Sequence, residues 1–199
     1  MLIFFKDITK IYDKNQVLKN ISFEIDTNAD NKDILLRGPS GIGKTTLLRI
    51  AAGLERPDEG NIEITMGEAA HGGYGLRAGM VFQENRLLEH LSAVDNVSCV
   101  NASVSRQRAR AELLEVLPEE ALDKPVRELS GGMKRRVAIV RAILPPSDLL
   151  IMDEPFTGLD AETREKVIRY IMDRKGKRPL ILASHDVEGL PPMRELILK

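Results

Sequence analysis

The apolar residues of this chain follow two different periods. Between residues 18 and 26, Ile21, Phe23 and Ile25 alternate with polar side chains, which predicts a half-buried strand. Over residues 161–175 apolar side chains instead recur at helical spacing among charged ones, which predicts an amphipathic helix. The two periods exchange repeatedly along the chain, so both kinds of element are expected.

The same patterns place the remaining elements. Strands are predicted over residues 2–8, 18–26, 34–36, 61–66, 80–82, 149–152, 180–183 and 195–198. Helices are predicted over residues 45–52, 133–144 and 161–175, and a helical pattern extends across residues 92–122. The polar residues 26–33 predict a turn, and the five glycines of residues 67–79 predict a loop.

This order of elements predicts an α/β fold. Strands and helices alternate over most of the chain, which favours a mainly parallel sheet with helices on both faces. Residues 84–130 are helical in pattern and predict an inserted helical subdomain, while residues 1–83 and 131–199 form the core around it. A single domain is expected for 199 residues.

Composition excludes few functions. The net charge of −1 gives no general attraction to nucleic acid or anionic lipid, and no apolar run reaches the roughly 18–20 residues of a membrane helix. A cytosolic chain is therefore expected. The single cysteine, Cys99, is expected to be a small packing residue. His71 and His90 match no motif and are expected at the surface.

Residues 38–45 carry the phosphate-binding pattern of Gly, four residues and Gly-Lys-Thr, between a predicted strand and a predicted helix. Glycines let the backbone wrap phosphates, and the following helix points its positive end at them. Lys44 is suited to reach the β- and γ-phosphates, and the Thr45 hydroxyl to ligate Mg²⁺. The predicted nucleotide-binding residues here are Gly38, Pro39, Ser40, Gly41, Ile42, Gly43, Lys44, Thr45 and Thr46.

Two further motifs could belong to a nucleotide site: an acidic pair after a strand and a second glycine turn before a helix. The apolar run 149–152 ends in Asp153 and Glu154, where Asp153 is suited to hold Mg²⁺ and Glu154 to polarise an attacking water. Residues 129–133, Leu-Ser-Gly-Gly-Met, precede a helix and form a second potential anion site, although Ser130 could equally be an ordinary helix cap. One chain already has a loop for its triphosphate, so a second site implies a second phosphate.

Taken together, these residues resemble the nucleotide-binding subunit of an ATP-binding cassette (ABC) transporter. The resemblance covers nearly the whole chain, and the motifs fall in the family's order. It rests on residues 38–45, Gln83, residues 129–133, the pair Asp153-Glu154, Asp160 and His185. It implies a P-loop NTPase core, with an N-terminal antiparallel β part and the helical subdomain inserted, that binds and hydrolyses ATP with Mg²⁺.

The resemblance also implies a role for each matching residue. Glu154, His185 and Lys44 would be catalytic, and Gln83 would join Thr45 and Asp153 around Mg²⁺. Tyr12 would stack on adenine. In a head-to-tail dimer, the partner's ATP would be contacted in trans by Ser130, Gly131, Gly132 and Asp160. Met133 departs from the family's usual glutamine, but contacts made by the backbone and Ser130 do not need that side chain.

The family further implies partners and a place in the cell. The active unit would be a homodimer or a dimer with a related cassette, cytoplasmic and held on the inner face of the cell membrane by integral membrane permease subunits. Residues 81–88 are similar to cassettes of nitrate, sulfonate, taurine and thiamine-precursor importers, which also work with an extracytoplasmic solute-binding protein. No nucleic-acid partner is expected. The chain stops shortly after His185, so no C-terminal regulatory domain is expected.

Two other functions stay open. One is a soluble cassette ATPase without a transport role, acting in iron–sulfur assembly, on ribosomes or on DNA; the short helical insertion and the absence of a second cassette speak against the ribosome and DNA types. The other is a purely regulatory nucleotide-binding module. The presence of Glu154 and His185 argues against it, because binding alone does not require them.

Overall fold

The computed structural model describes residues 1–65 and 75–199. Its strands are β1 (Leu2–Tyr12), β2 (Asn15–Asp26), β3 (Ile34–Arg37), β4 (Glu59–Thr65), β5 (Ala78–Val81), β6 (Leu149–Asp153), β7 (Leu180–Ala183) and β8 (Arg194–Ile197). Its α-helices are α1 (Lys44–Ala51), α2 (Ala93–Ser98), α3 (Arg106–Leu114), α4 (Gly131–Ile143) and α5 (Ala161–Lys175), with short 3₁₀ helices at Glu119–Ala121 and Val126–Glu128.

Three N-terminal strands form an antiparallel sheet in the order β2-β1-β4. Its first hairpin is longer than predicted, since β1 runs on past residue 8 to Tyr12 and β2 begins at Asn15 rather than residue 18. Asp13 and Lys14 make the turn with φ of 46° and 69°, which is the two-residue type I′ geometry. Neither residue is a glycine, so the sequence carried no strong turn marker there.

The central sheet has five parallel strands in the order β5-β6-β7-β3-β8, which confirms the predicted α/β class. Successive residues of these strands alternate between two cores. In β6, Leu150 and Met152 pack with α4 and α5, while Leu149 and Ile151 pack with α1 and the antiparallel sheet. Both faces of the sheet are therefore covered, as continuous apolar runs require.

The helical pattern of residues 92–122 is not one helix, which corrects that prediction. Helix α2 ends at Ser98, α3 begins only at Arg106, and Ser105 caps α3 by accepting a hydrogen bond from the Arg108 N–H at 3.1 Å. Cys99 lies at the exposed C-terminal end of α2, so its predicted role as a packing residue is wrong. The assignment of residues 84–130 as a subdomain stays a prediction.

Gly79 lies in a strand rather than in the predicted loop, at a point where the backbones of β5 and α4 approach closely. A Cβ at Gly79 would come within 2.2 Å of the Ala142 carbonyl oxygen of α4. The glycine thus serves packing of helix on strand rather than a turn. The rest of the predicted glycine loop up to residue 74, together with His71, lies outside the described residues, whereas His90 is exposed as predicted.

The parallel sheet determines where a site can form. The carboxyl ends of parallel strands meet at one edge, and ligands of open α/β sheets bind there. Gly38 follows β3, Gln83 follows β5, Asp153 ends β6 and His185 follows β7. The predicted site residues that come directly after strands therefore converge on this edge.

Candidate nucleotide-binding site

The loop between β3 and α1 folds around the side chain of its own lysine. The Lys44 Nζ donates hydrogen bonds to the carbonyl oxygens of Gly38 at 2.7 Å and Pro39 at 3.1 Å. Gly43 precedes α1 with φ of 105°, and a Cβ there would lie 2.8 Å from Leu18 Cδ2 and 2.9 Å from Val17 Cγ1. Only glycine satisfies both the dihedral angle and the contact. The loop thus presents backbone N–H groups and an ammonium at the start of a helix.

Two oxygen atoms meet beside this loop. The Thr45 hydroxyl donates to Asp153 Oδ2 at 2.6 Å, across 108 positions of the chain. Asp153 is only 3% exposed, because it is the last residue of the fully buried β6. A hydroxyl and a carboxylate are the hard oxygen ligands that Mg²⁺ takes with substrate phosphates. Among the described residues, no group of three or more His, Cys, Asp or Glu could hold a metal by itself.

Glu154 is held in an unusual backbone conformation. Its φ is 48°, its N–H donates to the Ala183 carbonyl at 2.8 Å, and its Oε2 accepts from the His185 N–H at 3.2 Å. His185 Nε2 lies 3.6 Å from Oε1, which is beyond hydrogen-bond distance. Within residues 1–65 and 75–199, Oε1 is buried without a hydrogen-bond partner. A strained, well-held carboxylate with one free oxygen is typical of a catalytic position.

A cavity of about 820 Å³ joins these groups. It is lined by Tyr12, Val17, Ser40, Gly41, Gly43, Lys44, Thr45, Thr46, Gln83, Asp153, Glu154, Phe156, Thr157, Gly158, Leu159, Ser184, His185 and Asp186. The structure therefore brings together most of the residues predicted to bind ATP within one chain, from Tyr12 to His185. Pro39 and Ile42 belong to the loop without lining this cavity, and Gly38 lines a smaller neighbouring one.

Tyr12 forms one end of the cavity, near the end of β1. Its ring is 40% exposed, and its hydroxyl donates to a Glu55 carboxylate oxygen. The Lys10 ammonium lies 5.4 Å from the ring centroid. Burial, and then the bond to Glu55, raise the pKa of the Tyr12 hydroxyl, so it stays protonated and bound. The ring is therefore an oriented aromatic surface that lines the same cavity as Lys44 and Thr45.

The profile of the family described as ABC transporter matches residues 18–157. The chain belongs to the ABC transporter family. The chain is 40% identical over 180 residues to the aliphatic sulfonates import ATP-binding protein of Bacillus subtilis, covering 88% of this chain and 69% of that protein. It is also 40% identical over 192 residues to the taurine import ATP-binding protein of Ruegeria pomeroyi, covering 92% and 69%.

A solved structure shows the same fold. It is the dimeric structure of a post-hydrolysis state of an ATP-binding cassette bound to ADP and Pi, with a TM-score of 0.82, 26% identity and coverage of 99% of this chain and 94% of that one. The chain is thus an ABC cassette that binds ATP and acts as a transport ATPase. Over residues 1–65 and 75–199, no helix is both long and apolar enough to cross a membrane.

The residues predicted to act in trans lie outside the cavity of the cassette. Ser130 is exposed and caps α4, accepting a hydrogen bond from the Met133 N–H at 3.2 Å. Gly131 has open space around the position of a Cβ. Asp160 is an exposed cap on α5, and bonds from the Thr163 N–H and hydroxyl lower the pKa of its carboxyl. Neither cap residue shares the cavity with Lys44.

Two buried arginines near the site were not found from the sequence. Arg164 of α5 donates to the Asp186 carboxylate and to the Glu188 carbonyl, and so holds the segment that follows His185. Arg135 of α4 is 3% exposed and donates to the backbone carbonyls of Asp153 and Gln83. Bonds from arginine to carbonyl oxygens leave no pattern in the acceptor's residue type, so only the charge on an apolar helix face marked them.

Proposed function

We propose that the cavity binds MgATP with the triphosphate on residues 38–45, and that hydrolysis there drives uptake of a solute through separate permease subunits. The observation that carries the proposal is the convergence of Lys44, Thr45, Asp153, Glu154 and His185 on one cavity. Lys44 would reach the β- and γ-phosphates as the glycine backbone N–H groups surround them. Thr45, Asp153 and Gln83 would hold Mg²⁺, which would neutralise phosphate charge.

Glu154 is the proposed general base. Its carboxylate would accept a proton from water as the water oxygen bonds to the γ-phosphorus, while the bond from that phosphorus to the β-γ bridging oxygen breaks and ADP leaves. Residues 129–133 form the signature loop. His185 and the signature loop of the partner would together stabilise charge on the transferred phosphoryl group. The His185 N–H donates a hydrogen bond to Glu154 Oε2 at 3.2 Å, which supports a joint role of Glu154 and His185 in hydrolysis.

Tyr12 is the proposed adenine platform. We expect Tyr12→Ala to weaken ATP binding by about 1–3 kcal/mol, roughly 5- to 150-fold in Kd, because base stacking on the ring is lost. Tyr12→Phe keeps the ring and loses only the bond to Glu55, so its Kd should stay close to that of the wild type. Binding of a fluorescent ATP analogue to the isolated cassette measures both. Equal losses in the two variants would contradict stacking.

An apolar groove next to Gln83 supports a permease partner. Its volume is about 330 Å³, and it is lined among others by Leu54, Phe82 and Val100. Leu54 is 54% exposed and Val100 46%, so two large apolar side chains face solvent at this groove. We propose that a cytoplasmic segment of the permease occupies this groove, so that movement of the Gln83 segment reaches the membrane subunit.

The proposed cargo is a small sulfonate, because relatives at about 40% identity are named for import of aliphatic sulfonates and taurine. The proposed assembly is a dimer of cassettes on the inner face of the cell membrane, with two permease subunits and an extracytoplasmic solute-binding protein.

Co-purification tests the proposed permease partner. We expect the tagged cassette, expressed from its own genomic locus, to be recovered from detergent-solubilised membranes with a multi-span protein. Val100→Glu should lose that partner, because it places a charge in the groove. Leu114→Glu is the matched control, since Leu114 is 43% exposed on α3 and does not line the groove. Recovery of the wild type only from the soluble fraction would contradict the proposed permease partner.

A further inference from the structure

The buried side chain of Arg135 joins three segments of the site. Its Nη2 donates to the carbonyl oxygens of Asp153 at 2.7 Å and Glu154 at 2.5 Å, and its Nε donates to that of Pro155 at 3.2 Å. Its Nη1 donates to the Phe82 carbonyl at 2.5 Å and the Gln83 carbonyl at 3.3 Å. One guanidinium thus ties the end of β6 to the segment after β5.

Geometry makes arginine specific for this position. The five carbonyl oxygens surround a planar fork of donors, and Asn85 Oδ1 adds a sixth acceptor at 3.3 Å from Nη1. A lysine ammonium could not reach both groups of carbonyls at once. Burial lowers the pKa of Arg135, and the charges of Asp153 and Glu154 oppose that shift. The cation therefore adds positive potential directly behind the two acids.

Helix α4 connects Arg135 to the signature loop within little more than one turn. The Lys134 N–H donates to the Ser130 carbonyl at 2.9 Å, so the helix is continuous from its cap. Gly132 also packs close to the segment after β6, since a Cβ there would lie 3.2 Å from the Gly158 carbonyl oxygen. A shift of the Ser130 end of α4 must therefore move or strain the bonds of Arg135.

We propose that Arg135 is a positioning residue that couples the two ATP sites of the dimer. This inference rests on the proposed function, in which the signature loop contacts the partner's ATP. When that loop engages the partner's γ-phosphate, α4 is fixed, and Arg135 fixes the Glu154 and Gln83 segments of its own site. Each site then reaches its full catalytic rate only when the other is occupied, which is positive cooperativity between distinct sites.

Steady-state hydrolysis by the full chain tests the coupling with Arg135→Lys and Arg135→Gln. We expect kcat to fall roughly 10- to 100-fold, because carboxylate placement is lost, with KM changed less than about threefold. The Hill coefficient for ATP should fall from near 2 in the wild type toward 1. Arg169→Lys is the matched control, since Arg169 lies on the exposed face of α5 and pairs only with Glu165 in the described structure. It should leave all three values unchanged.

A second variant keeps the test independent of folding. Asn85→Ala removes one acceptor from the guanidinium and keeps every other contact of Arg135. It should lower kcat and the Hill coefficient in the same direction, with the thermal unfolding midpoint near that of the wild type. Unchanged kcat and Hill coefficient in these variants would overturn the inference, as would a loss confined to ATP binding. Failure of the proposed function would look different, because the wild type itself would then neither hydrolyse ATP nor dimerise.

Discussion

Glu154→Gln is expected to abolish steady-state ATP hydrolysis while ATP binding is retained, and to trap a dimer with ATP enclosed. The amide still accepts the hydrogen bond from the His185 N–H at 3.2 Å, so the shape of the site is kept. It has no basic oxygen to accept a proton from water. Loss of a general base typically costs about 10²- to 10⁴-fold in rate. Phosphate release measures turnover, and size-exclusion chromatography with MgATP measures the dimer.

The control for this variant removes a carboxylate elsewhere. Glu165→Gln changes a side chain that is 72% exposed on α5, with an ion pair to Arg169, and should leave turnover and oligomeric state unchanged. An unchanged rate of ATP hydrolysis in Glu154→Gln would show that Glu154 is not the general base. A large loss of ATP affinity in the same variant would show instead that the carboxylate supports binding rather than chemistry.

The parts of the fold that the sequence predicted best are the ones with a regular pattern of buried positions. The bounds of α5 and β7 match the prediction, because a long amphipathic period and a short buried run each have one structural solution. The first hairpin was underestimated since its turn uses Asp13 and Lys14 at positive φ. The break between α2 and α3 was missed because polar side chains continue the helical pattern across it.

The residues of the site likewise divide into those that the sequence predicted and those that it did not. Lys44 and Thr45, which are proposed to contact phosphate and Mg²⁺, were predictable from the fixed spacing of their motif, and the structure places them in one cavity with Asp153 and Glu154. Side chains that donate hydrogen bonds to backbone carbonyls were not predictable, and Arg135 is the main example. Its acceptors lie 18 to 53 positions away along the chain, so no local pattern marks them. Tertiary structure alone shows that this charge is buried.

Ser130→Arg is expected to reduce turnover by at least about 100-fold while leaving ATP binding by the monomer within about twofold of the wild type. Ser130 is exposed and does not line the cavity with Lys44, so a long cation there cannot disturb the triphosphate of its own chain. It would instead occupy the space into which the partner's γ-phosphate must fit. Lost binding by the monomer would contradict this geometry.

The loss of a helix cap must be separated from the loss of a trans contact. Ser105→Arg is the matched control, because Ser105 caps α3 as Ser130 caps α4. The Ser105 Oγ accepts a hydrogen bond from a backbone N–H at 3.1 Å, and the Ser130 Oγ accepts one at 3.2 Å. Each substitution should cost about 1 kcal/mol of stability, since a capping serine is replaced. Only Ser130→Arg should lose turnover. Equal turnover in the two variants would remove the signature loop from the mechanism.

Mixing two inactive variants tests the trans arrangement directly. Lys44→Ala lacks the phosphate-binding lysine and Ser130→Arg lacks a usable signature loop, so each homodimer is inactive at both sites. In a mixed dimer, the intact residues 38–45 of the Ser130→Arg chain face the intact signature loop of the Lys44→Ala chain, and one complete site is restored. Phosphate release should therefore reappear on mixing, at a rate below that of the wild type because the other site of the mixed dimer stays incomplete. If the signature loop acted on the ATP of its own chain, no site would be complete and the mixture would stay inactive.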